Sequence, residues 1–494
     1  MSTFTTTAPN FGRQPPALGF YAPFRMECDV RDCEVEGRLP EDLNGSFYRI
    51  GPDFQYPPFM PNIPFDGEGH LGAFRFENGH VDYRSRFVRT QRYKAQAAAR
   101  KSLFGTYRNP YSDDASVKGV SRGTANTGVV FHHGKLLVLK EDSPPVVVDP
   151  DTLETLDDYY TFGGQFESLT FTAHPKIDSE TGELVAFGYE ARGLATDDVA
   201  IYSFDRSGRV TWQAWIKVPY VGMLHDFAVT RTHVAFLVVP MVTSVERMRQ
   251  GQVHFAWDSS LPTWLGVLRR GGDGKDLRWF KGPERCATHT MGTFSDGSRL
   301  YVDMDMGLKN QFPFFPNLDG APFDPIGAQG HVTRLSVDLA TTSRPGYEME
   351  TLYPHNGVLS RQDDRYHTVP YGVGFMPTVD AERPLSDKLA ASPMGRPLNC
   401  WTRFDHARRR ATSYFAGPDS SVQECCFVPR NERAAEGDGY LVGVVNRWLE
   451  GRNDLLVLDA LHLDEGPLAI VRLPTRIHPQ IHGWWVPAGA RDPA

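Results

Sequence analysis

The sequence predicts an all-β fold, because short β-rich segments recur along most of its length while helical periodicity is scarce. Aliphatic and aromatic residues dominate runs such as those at 129–140, 199–218 and 232–240. Gly, Asn, Asp and Pro separate these runs at close intervals, and pairs such as N-G and H-G are typical of hairpin turns. The clearest helical patterns are confined to 91–104 and 244–252.

Many evenly spaced strands with few helices indicate a sandwich, a barrel or a propeller. Propeller blades take about 40–50 residues. Seven blades would average roughly 71 residues each in a chain of 494, which leaves room for large loops on one face. No linker or low-complexity tract divides the chain, so we expect a single domain over residues 17–487. The polar or Pro/Gly-rich ends, 1–16 and 488–494, are predicted to be disordered tails.

Composition excludes several classes of partner and location. The net charge of −8 arises from 60 acidic and 52 basic residues without a basic stripe, so nucleic acid is not an expected partner. No apolar run approaches 18 residues and the N-terminus lacks the features of a signal peptide, so we expect no membrane span. Six scattered cysteines without a C-x-x-C pair indicate reduced thiols in a cytoplasmic protein. A homo-oligomer is compatible with this composition.

Four of the sixteen histidines lie in distinctive surroundings, namely His174, His225, His289 and His482. They are far apart in sequence and form no local metal motif such as H-E-x-x-H. If they share a metal, they must converge from different elements, as the inner strands around a propeller axis would allow. Imidazole suits iron, zinc, copper and nickel. Considered singly, each histidine is better explained as a buried, hydrogen-bonded core residue.

A series of longer motifs runs in order along the chain, among them NGSFYRIGPD at 44–53, FDGEGHLGAFRFENG at 65–79, ANTGVVFHHGKLLVLKEDSPP at 125–145 and FVPRNERAAEGDGYL at 427–441. Through these motifs the chain resembles the carotenoid cleavage oxygenase superfamily, and within it the lignostilbene dioxygenase and isoeugenol monooxygenase branch. The resemblance implies a seven-bladed β-propeller with a helix and loop cap over an axial metal site. It also implies a non-haem Fe(II) ion held by the four histidines, His174, His225, His289 and His482.

The same resemblance implies two outer carboxylates, Glu141 and Glu424, that orient the metal-bound imidazoles; the alternative is a pair of ordinary surface glutamates. The chain departs from the family pattern at Val358, where a third glutamate is usual, and at residues 290–293, where Thr-Met-Gly-Thr replaces Asn-Ala. Both departures lie near His289. We therefore expect a backbone carbonyl or a water to orient that ring.

A phenol-binding pair is implied at Tyr107 and Lys140, which match the residues that grip a substrate 4-hydroxyl in the stilbene-cleaving branch. An ammonium beside a phenol favours the phenolate and so enriches a para alkene in electrons. Phe65 matches a ring-stacking position. The aromatic loop at 311–320 either lines the mouth of the site or packs as an ordinary loop. Without the resemblance, Lys140 would be interpreted as a strand-end surface lysine and Tyr107 as a packed aromatic.

The resemblance therefore implies an oxygenase that splits the C=C bond of a 4-hydroxyphenyl alkene with O₂ and without an external reductant. The substrate is either a stilbene, such as resveratrol or lignostilbene, or a phenylpropanoid, such as isoeugenol or 4-vinylguaiacol, and the products are aromatic aldehydes such as vanillin. One alternative is a carotenoid or apocarotenoid cleavage dioxygenase, against which Tyr107 and Lys140 argue. Another is a non-catalytic binding propeller, which the presence of all four histidines disfavours.

Overall fold

The computed structural model describes residue 11 and residues 19–341, 346–390 and 396–491. The predicted first tail, 1–16, lies outside the described residues except for residue 11. At the other end the structure differs from the prediction, because Ala488–Arg491 form a 3-10 turn. The Ala488 N–H donates to the Asn44 carbonyl oxygen, which holds this turn against the propeller. The final residues, 492–494, lie outside the described part.

Seven sheets of four or five strands are arranged as the blades of a propeller, which confirms the predicted fold class. The first blade contains β1 (Cys28–Val30), β3 (Gly45–Asp53), β4 (Glu68–Glu77) and β5 (His80–Phe87). Strand β2 (Glu34–Gly37) lies between β1 and β3 in the sequence but belongs to the last blade. The second blade contains β6 (Gly128–His132), β7 (Lys135–Leu139), β8 (Val146–Val148) and β9 (Thr155–Asp157). The third contains β10 (Lys176–Ile177), β11 (Leu184–Tyr189), β12 (Asp198–Phe204) and β13 (Val210–Lys217).

The remaining blades follow in chain order. The fourth blade contains β14 (Phe227–Val229), β15 (His233–Val238), β18 (Thr263–Arg269) and β19 (Arg278–Gly282). Between β15 and β18, β16 (Met241–Thr243) and β17 (Phe255–Trp257) form a separate two-stranded sheet. The fifth contains β20 (Cys286–Asp296), β21 (Arg299–Gly307), β22 (His331–Asp338) and β23 (Glu348–Thr351). The sixth contains β24 (Asn356–Gly357), β25 (Arg361–Gln362), β26 (Val373–Val379), β27 (Cys400–Asp405) and β28 (Arg410–Phe415). The seventh contains β29 (Ser420–Pro429), β30 (Gly439–Arg447), β31 (Arg452–Asp459) and β32 (Pro467–Arg472), after which β33 (His482–Pro487) returns to the first blade.

The two ends of the chain close the ring by exchanging strands between the first and last blades. Strand β33 pairs antiparallel with β3, so the last strand completes the first blade. Strand β2 pairs antiparallel with β32, so an early strand completes the last blade. Each exchange replaces a free sheet edge with backbone hydrogen bonds. Pairing with β3 thereby also holds β33 beside β6, the first strand of the second blade.

The burial of the strands follows their position within a blade. Every residue of β11 and β12 is buried, because these middle strands are covered by neighbouring blades on both faces. The outer strand β13 alternates less exposed and more exposed residues, as expected where one face meets water. The N-G and H-G pairs form the predicted hairpin turns: Asn78 and Gly79, like His133 and Gly134, have positive φ angles.

The described residues contain three short α-helices, α1 (Gln91–Ala99), α2 (Val245–Arg249) and α3 (Asp387–Ala390), which lie in connections between strands. The first two confirm the predicted helices, although each is shorter than its sequence pattern. Helix α1 ends where Arg100 adopts a left-handed conformation, and α2 begins at Ser244, whose side chain accepts a hydrogen bond from Arg247 N. Among the described residues, no helix is long and apolar enough to cross a membrane.

Ring closure gives a stability prediction at Gly37, the last residue of β2. A Cβ at Gly37 would collide with the Leu468 carbonyl oxygen in β32, whereas a Cβ at Gly79 would meet nothing within 4 Å. Both glycines have φ near +80°, so Gly37→Ala and Gly79→Ala share a left-handed penalty of about 1–2 kcal/mol. Gly37→Ala should cost roughly 1–3 kcal/mol more, because it also overpacks the closing pair. Thermal unfolding of the two variants checks this, and equal losses of Tm would contradict it.

Candidate metal centre

Four imidazoles converge at the centre of the propeller. One ring nitrogen from each of His174, His225, His289 and His482 lies within 4.8 Å of the others. The His225 Nε2 atom is 3.2 Å from the Nε2 atoms of both His174 and His289. The structure therefore brings together all four histidines that the sequence singled out, and this cluster could hold a metal ion.

Inner strands of four different blades deliver these rings. His174 and His225 lie two residues before β10 and β14, respectively, while His289 lies within β20 and His482 begins β33. Because β33 belongs to the first blade only through ring closure, the fourth imidazole reaches the axis when β33 pairs with β3. The convergence thus depends on the closed ring rather than on any local segment.

Glu141 binds the outer nitrogen of His225. Its Oε1 atom is 2.5 Å from His225 Nδ1, and its Oε2 atom accepts a hydrogen bond of 2.9 Å from the Tyr189 hydroxyl. Burial alone would raise the pKa of Glu141, but the charge and hydrogen bond of His225 lower it overall. Glu141 is buried, which rules out the alternative of a surface glutamate.

Glu424 makes the equivalent contact with His482, at 2.8 Å between Oε1 and Nδ1. Its other oxygen accepts hydrogen bonds from Gly483 N at 2.7 Å and from Arg49 Nη1 at 3.1 Å. Burial opposes ionisation, but His482 and Arg361 nevertheless lower the pKa of Glu424 to about 2. A fully buried arginine, Arg49, therefore offsets the charge of a carboxylate that would otherwise be costly inside the protein.

His289 has a carboxylate neighbour that the sequence did not predict. Asp305 Oδ2 is 3.3 Å from His289 Nδ1, so a side chain occupies the place where a backbone carbonyl or a water was expected. Leu359 N, next to Val358, is also 3.3 Å from this nitrogen. No sequence motif marked Asp305, because it lies on β21 and faces His289 only through the pairing of β20 with β21.

The donor set fits a divalent metal of the iron, zinc, copper or nickel group. Nδ1 atoms face carboxylates at three rings, while Nε2 atoms face one another. Among the described residues, His482 Nε2 is a buried nitrogen with no hydrogen-bond partner, as expected of an atom reserved for a metal. Burial lowers the pKa of His482 to about 4 and that of His174 well below its usual value, so both rings are neutral donors at pH 7.

A small polar cavity of about 70 Å³ reaches three of the four rings, those of His174, His289 and His482. Its walls also include an ion pair between Lys176 Nζ and Asp226 Oδ1, 2.8 Å apart. The cavity is large enough for a few water-sized molecules.

A second group of predicted residues lies around Lys140, directly after β7. Lys140 is only 3% exposed, and its Nζ donates to the Phe65 carbonyl oxygen at 3.0 Å and to Asn126 Oδ1 at 3.2 Å. The same nitrogen lies 5.1 Å from the centre of the Tyr107 ring. The structure thus brings Phe65, Tyr107 and Lys140 together and rules out a strand-end surface lysine. Burial lowers the pKa of Lys140.

The aromatic loop connects this lysine group to the histidine cluster. The Phe312 ring is 6.4 Å from that of His225, and the Phe315 ring is 5.8 Å from that of Tyr107. The Phe314 ring meets Phe65 edge-on at 5.5 Å. The loop is therefore both packed and adjacent to the site, so the two interpretations of the sequence are compatible.

Sequence reasoning missed several residues that support these groups. Asn126 holds Lys140, and its Nδ2 also donates to the carbonyl oxygens of Phe65 and Gly67 at 2.8 and 2.7 Å. Arg49 and Asn126 lie inside motifs that carried the family resemblance, so those motifs contained a signal. Tyr189 and Asp305 lie in ordinary strand sequences that gave none.

Comparisons with known proteins find relatives along nearly the whole chain. A family model described as retinal pigment epithelial membrane protein (RPE65) matches residues 21–487. Lignostilbene-α,β-dioxygenase isozyme III of Sphingomonas paucimobilis is 42% identical over 474 residues, which is 95% of this chain and 96% of that protein. Isoeugenol monooxygenase of Pseudomonas nitroreducens is 41% identical over 96% of this chain and 98% of its own length. The crystal structure of Pseudomonas brassicacearum lignostilbene dioxygenase matches with a TM-score of 0.94 at 39% identity, covering 97% of this chain and 100% of that chain.

The contact between Glu424 and His482 predicts the effect of neutralising the carboxylate. Glu424→Gln keeps the shape of the side chain but removes the charge that holds a hydrogen on His482 Nδ1. Loss of such a partner typically costs 10- to 100-fold in metal affinity, and we expect a loss of about that size. Competition with a chelator measures it, with Glu432→Gln on the surface as the control. Unchanged affinity in Glu424→Gln would show that this carboxylate does not support a metal.

Proposed function

Because this chain belongs to the RPE65/carotenoid cleavage oxygenase family, we propose that it is a non-haem iron(II) oxygenase that splits the C=C bond of a 4-hydroxyphenyl alkene. The reaction consumes one O₂ and converts the two alkene carbons into two carbonyl groups, so it needs no external reductant. The substrate is a stilbene or a phenylpropanoid, and one product is an aromatic aldehyde such as vanillin.

One observation supports this proposal above the others: a buried lysine and a four-histidine cluster lie on either side of one aromatic loop. Phe312 contacts His225, and Phe315 contacts Tyr107, beside which Lys140 lies. A planar phenyl alkene between them would place its phenol at Lys140 and its double bond towards the histidines. Lignostilbene and isoeugenol, named in two relatives, are both 4-hydroxyphenyl alkenes.

In the proposed site, His174, His225, His289 and His482 would hold the iron through Nε2, and iron(II) bound there would supply the activation of O₂. Glu141 and Glu424 would keep hydrogens on Nδ1 of His225 and His482. They also place negative charge near an ion that four neutral imidazoles leave uncompensated.

Lys140 would bind the substrate phenol through the one N–H that its contacts with Phe65 and Asn126 leave over. Its positive charge lowers the pKa of a neighbouring phenol and stabilises the phenolate. Burial also lowers the pKa of Lys140 itself, which makes its ammonium group a better proton donor. The Tyr107 hydroxyl would donate a hydrogen bond to the same oxygen. A phenolate donates electron density through the ring to the alkene and makes it more reactive towards O₂.

Three broader features complete the proposal. Residues 17–487 act as one catalytic domain, supported by strand exchange between the first and last blades. The cytoplasmic location is supported by six free cysteines, five of them buried. A homo-oligomer stays a prediction from the sequence.

The metal assignment predicts about one iron per chain in purified protein. Alanine at any one of the four histidines should abolish turnover and lower bound iron, because three imidazoles leave an incomplete ligand set. Elemental analysis and an alkene-cleavage assay measure the two effects, with the exposed His462→Ala as the control. A fully active, iron-replete His289→Ala enzyme would refute the assignment.

The phenol assignment predicts that 4-methoxy analogues are essentially inert while 3-methoxy substitution is tolerated. A site built around a polar group rejects an analogue lacking it by about 10⁴-fold or more. Lys140→Met should lower kcat/KM by at least about 10², the usual effect of one positioned acid–base or charge-stabilising group. Tyr107→Phe should cost less, because it removes one hydrogen bond and no charge.

Steady-state kinetics on 4-hydroxystilbenes, 4-hydroxystyrenes and their methyl ethers provide the measurement. Lys135→Met, at the other end of β7, is the matched control and should behave as wild type. Equal rates for phenols and methyl ethers, or full activity in Lys140→Met, would contradict phenolate activation. Cleavage of an apocarotenoid would then favour the carotenoid-type alternative.

A further inference from the structure

A β-bulge turns His289 towards the propeller axis, and Asp305 lies opposite it. In the pairing of β20 with β21, Ala287 faces Met306 and Thr290 faces Met304, so Thr288 and His289 together oppose Asp305. Such a bulge leaves backbone groups unpaired and redirects a side chain. The bulge therefore needs a partner for its free N–H groups, and it determines where the His289 ring points.

Asp305 supplies that partner with one carboxylate oxygen. Its Oδ1 atom accepts hydrogen bonds of 3.1 Å from both Thr288 N and His289 N, and a further one from the Thr288 hydroxyl. The Asp305 side chain is fully buried. A buried carboxylate persists only when several donors satisfy it. The hydrogen bonds that Oδ1 accepts therefore all come from the two residues of the bulge.

The second oxygen, Oδ2, faces the outer nitrogen of the His289 ring at 3.3 Å. Ser360 Oγ lies 3.5 Å from the same oxygen and 3.0 Å from the His289 carbonyl oxygen, to which it donates. This arrangement repeats the contacts of Glu141 with His225 and of Glu424 with His482, from a different strand. It occurs in a chain whose residue 358 is valine.

Leu359 N offers a competing contact, because its N–H could donate to His289 Nδ1 at 3.3 Å. The two contacts exclude each other: Nδ1 must carry a hydrogen to donate to Asp305 and must lack one to accept from Leu359. In a neutral ring, a hydrogen on Nδ1 leaves Nε2 free to bind a metal, whereas accepting from Leu359 places the hydrogen on Nε2. Metal binding therefore selects the contact with Asp305.

We propose that Asp305 is the positioning residue for His289, and that it holds both the bulge and the hydrogen on Nδ1 so that Nε2 can bind the metal. This inference rests on the proposed function, in which the four histidines hold iron. Asp305 on β21 would orient the His289 ring as Glu141 and Glu424 would orient the rings of His225 and His482.

Asp305→Asn tests the proposal, because asparagine keeps the size of the side chain. The amide oxygen can still accept from the Thr288 and His289 N–H groups, which turns the amide nitrogen towards the ring. That nitrogen can only donate a hydrogen bond, so His289 Nδ1 would have to accept it and the hydrogen of the neutral ring would move to Nε2. We expect iron affinity, measured by chelator competition, to fall at least about 10-fold, while the Tm of the metal-free protein stays near wild type. The control is Asp296→Asn, an exposed aspartate at the end of the paired strand β20, and it should change neither quantity.

The outcomes separate this inference from the proposed function. Wild-type iron affinity in Asp305→Asn, together with iron loss in His289→Ala, would overturn the role of Asp305 alone. A wild-type protein that binds no iron would overturn the proposed function instead. If Asp305→Asn does not fold, nitrogen NMR of metal-free wild-type protein with labelled histidine decides the question, because without a metal only the contacts with Asp305 and Leu359 determine which ring nitrogen carries the hydrogen. The proposal requires a hydrogen on Nδ1 of His289, and an unprotonated Nδ1 would overturn it.

Discussion

The meeting of four imidazoles on the propeller axis is the constraint on which the rest of the structure depends. The rings come from inner strands of four blades, and the last of them, on His482, is delivered by a strand that belongs to the first blade only through ring closure. A site built this way has no local sequence motif. Its geometry is a property of the whole ring, and the strand exchange between β2 and β32 and between β33 and β3 preserves it.

Imidazoles that bind a metal as neutral ligands add no charge of their own, and the carboxylates behind three of the rings are buried. Glu141, Glu424 and Asp305 each lie within hydrogen-bond reach of an Nδ1 atom. The protein compensates each carboxylate differently: a tyrosine hydroxyl for Glu141, two arginines and a backbone amide for Glu424, and the free N–H groups of a bulge for Asp305. Their surroundings lower the pKa values of Glu141 and Glu424, although burial alone would raise them. The same environment would favour a divalent cation at the centre.

The sequence predicted the fold and the composition of the site better than it predicted how the site is supported. Strand periodicity and turn pairs established an all-β chain, and motifs resembling a known family added the blade number and the four histidines. Asp305 escaped prediction because its role arises from a bulge between two strands, and a one-residue shift in register cannot be read from either strand alone. Asn126 escaped because it acts through Lys140. The 3-10 turn at Ala488–Arg491 depends on a distant backbone partner, Asn44.

We propose that one site holds a phenol at Lys140 and an alkene beside an iron at the four histidines. A crystal structure of the iron-loaded protein, soaked without oxygen in a 4-hydroxystilbene, tests it most directly. We expect an anomalous iron peak among the four Nε2 atoms, a phenolic oxygen within hydrogen-bond distance of Lys140 Nζ, and the double bond facing the iron. An iron peak elsewhere, or a phenol bound away from Lys140, would contradict it.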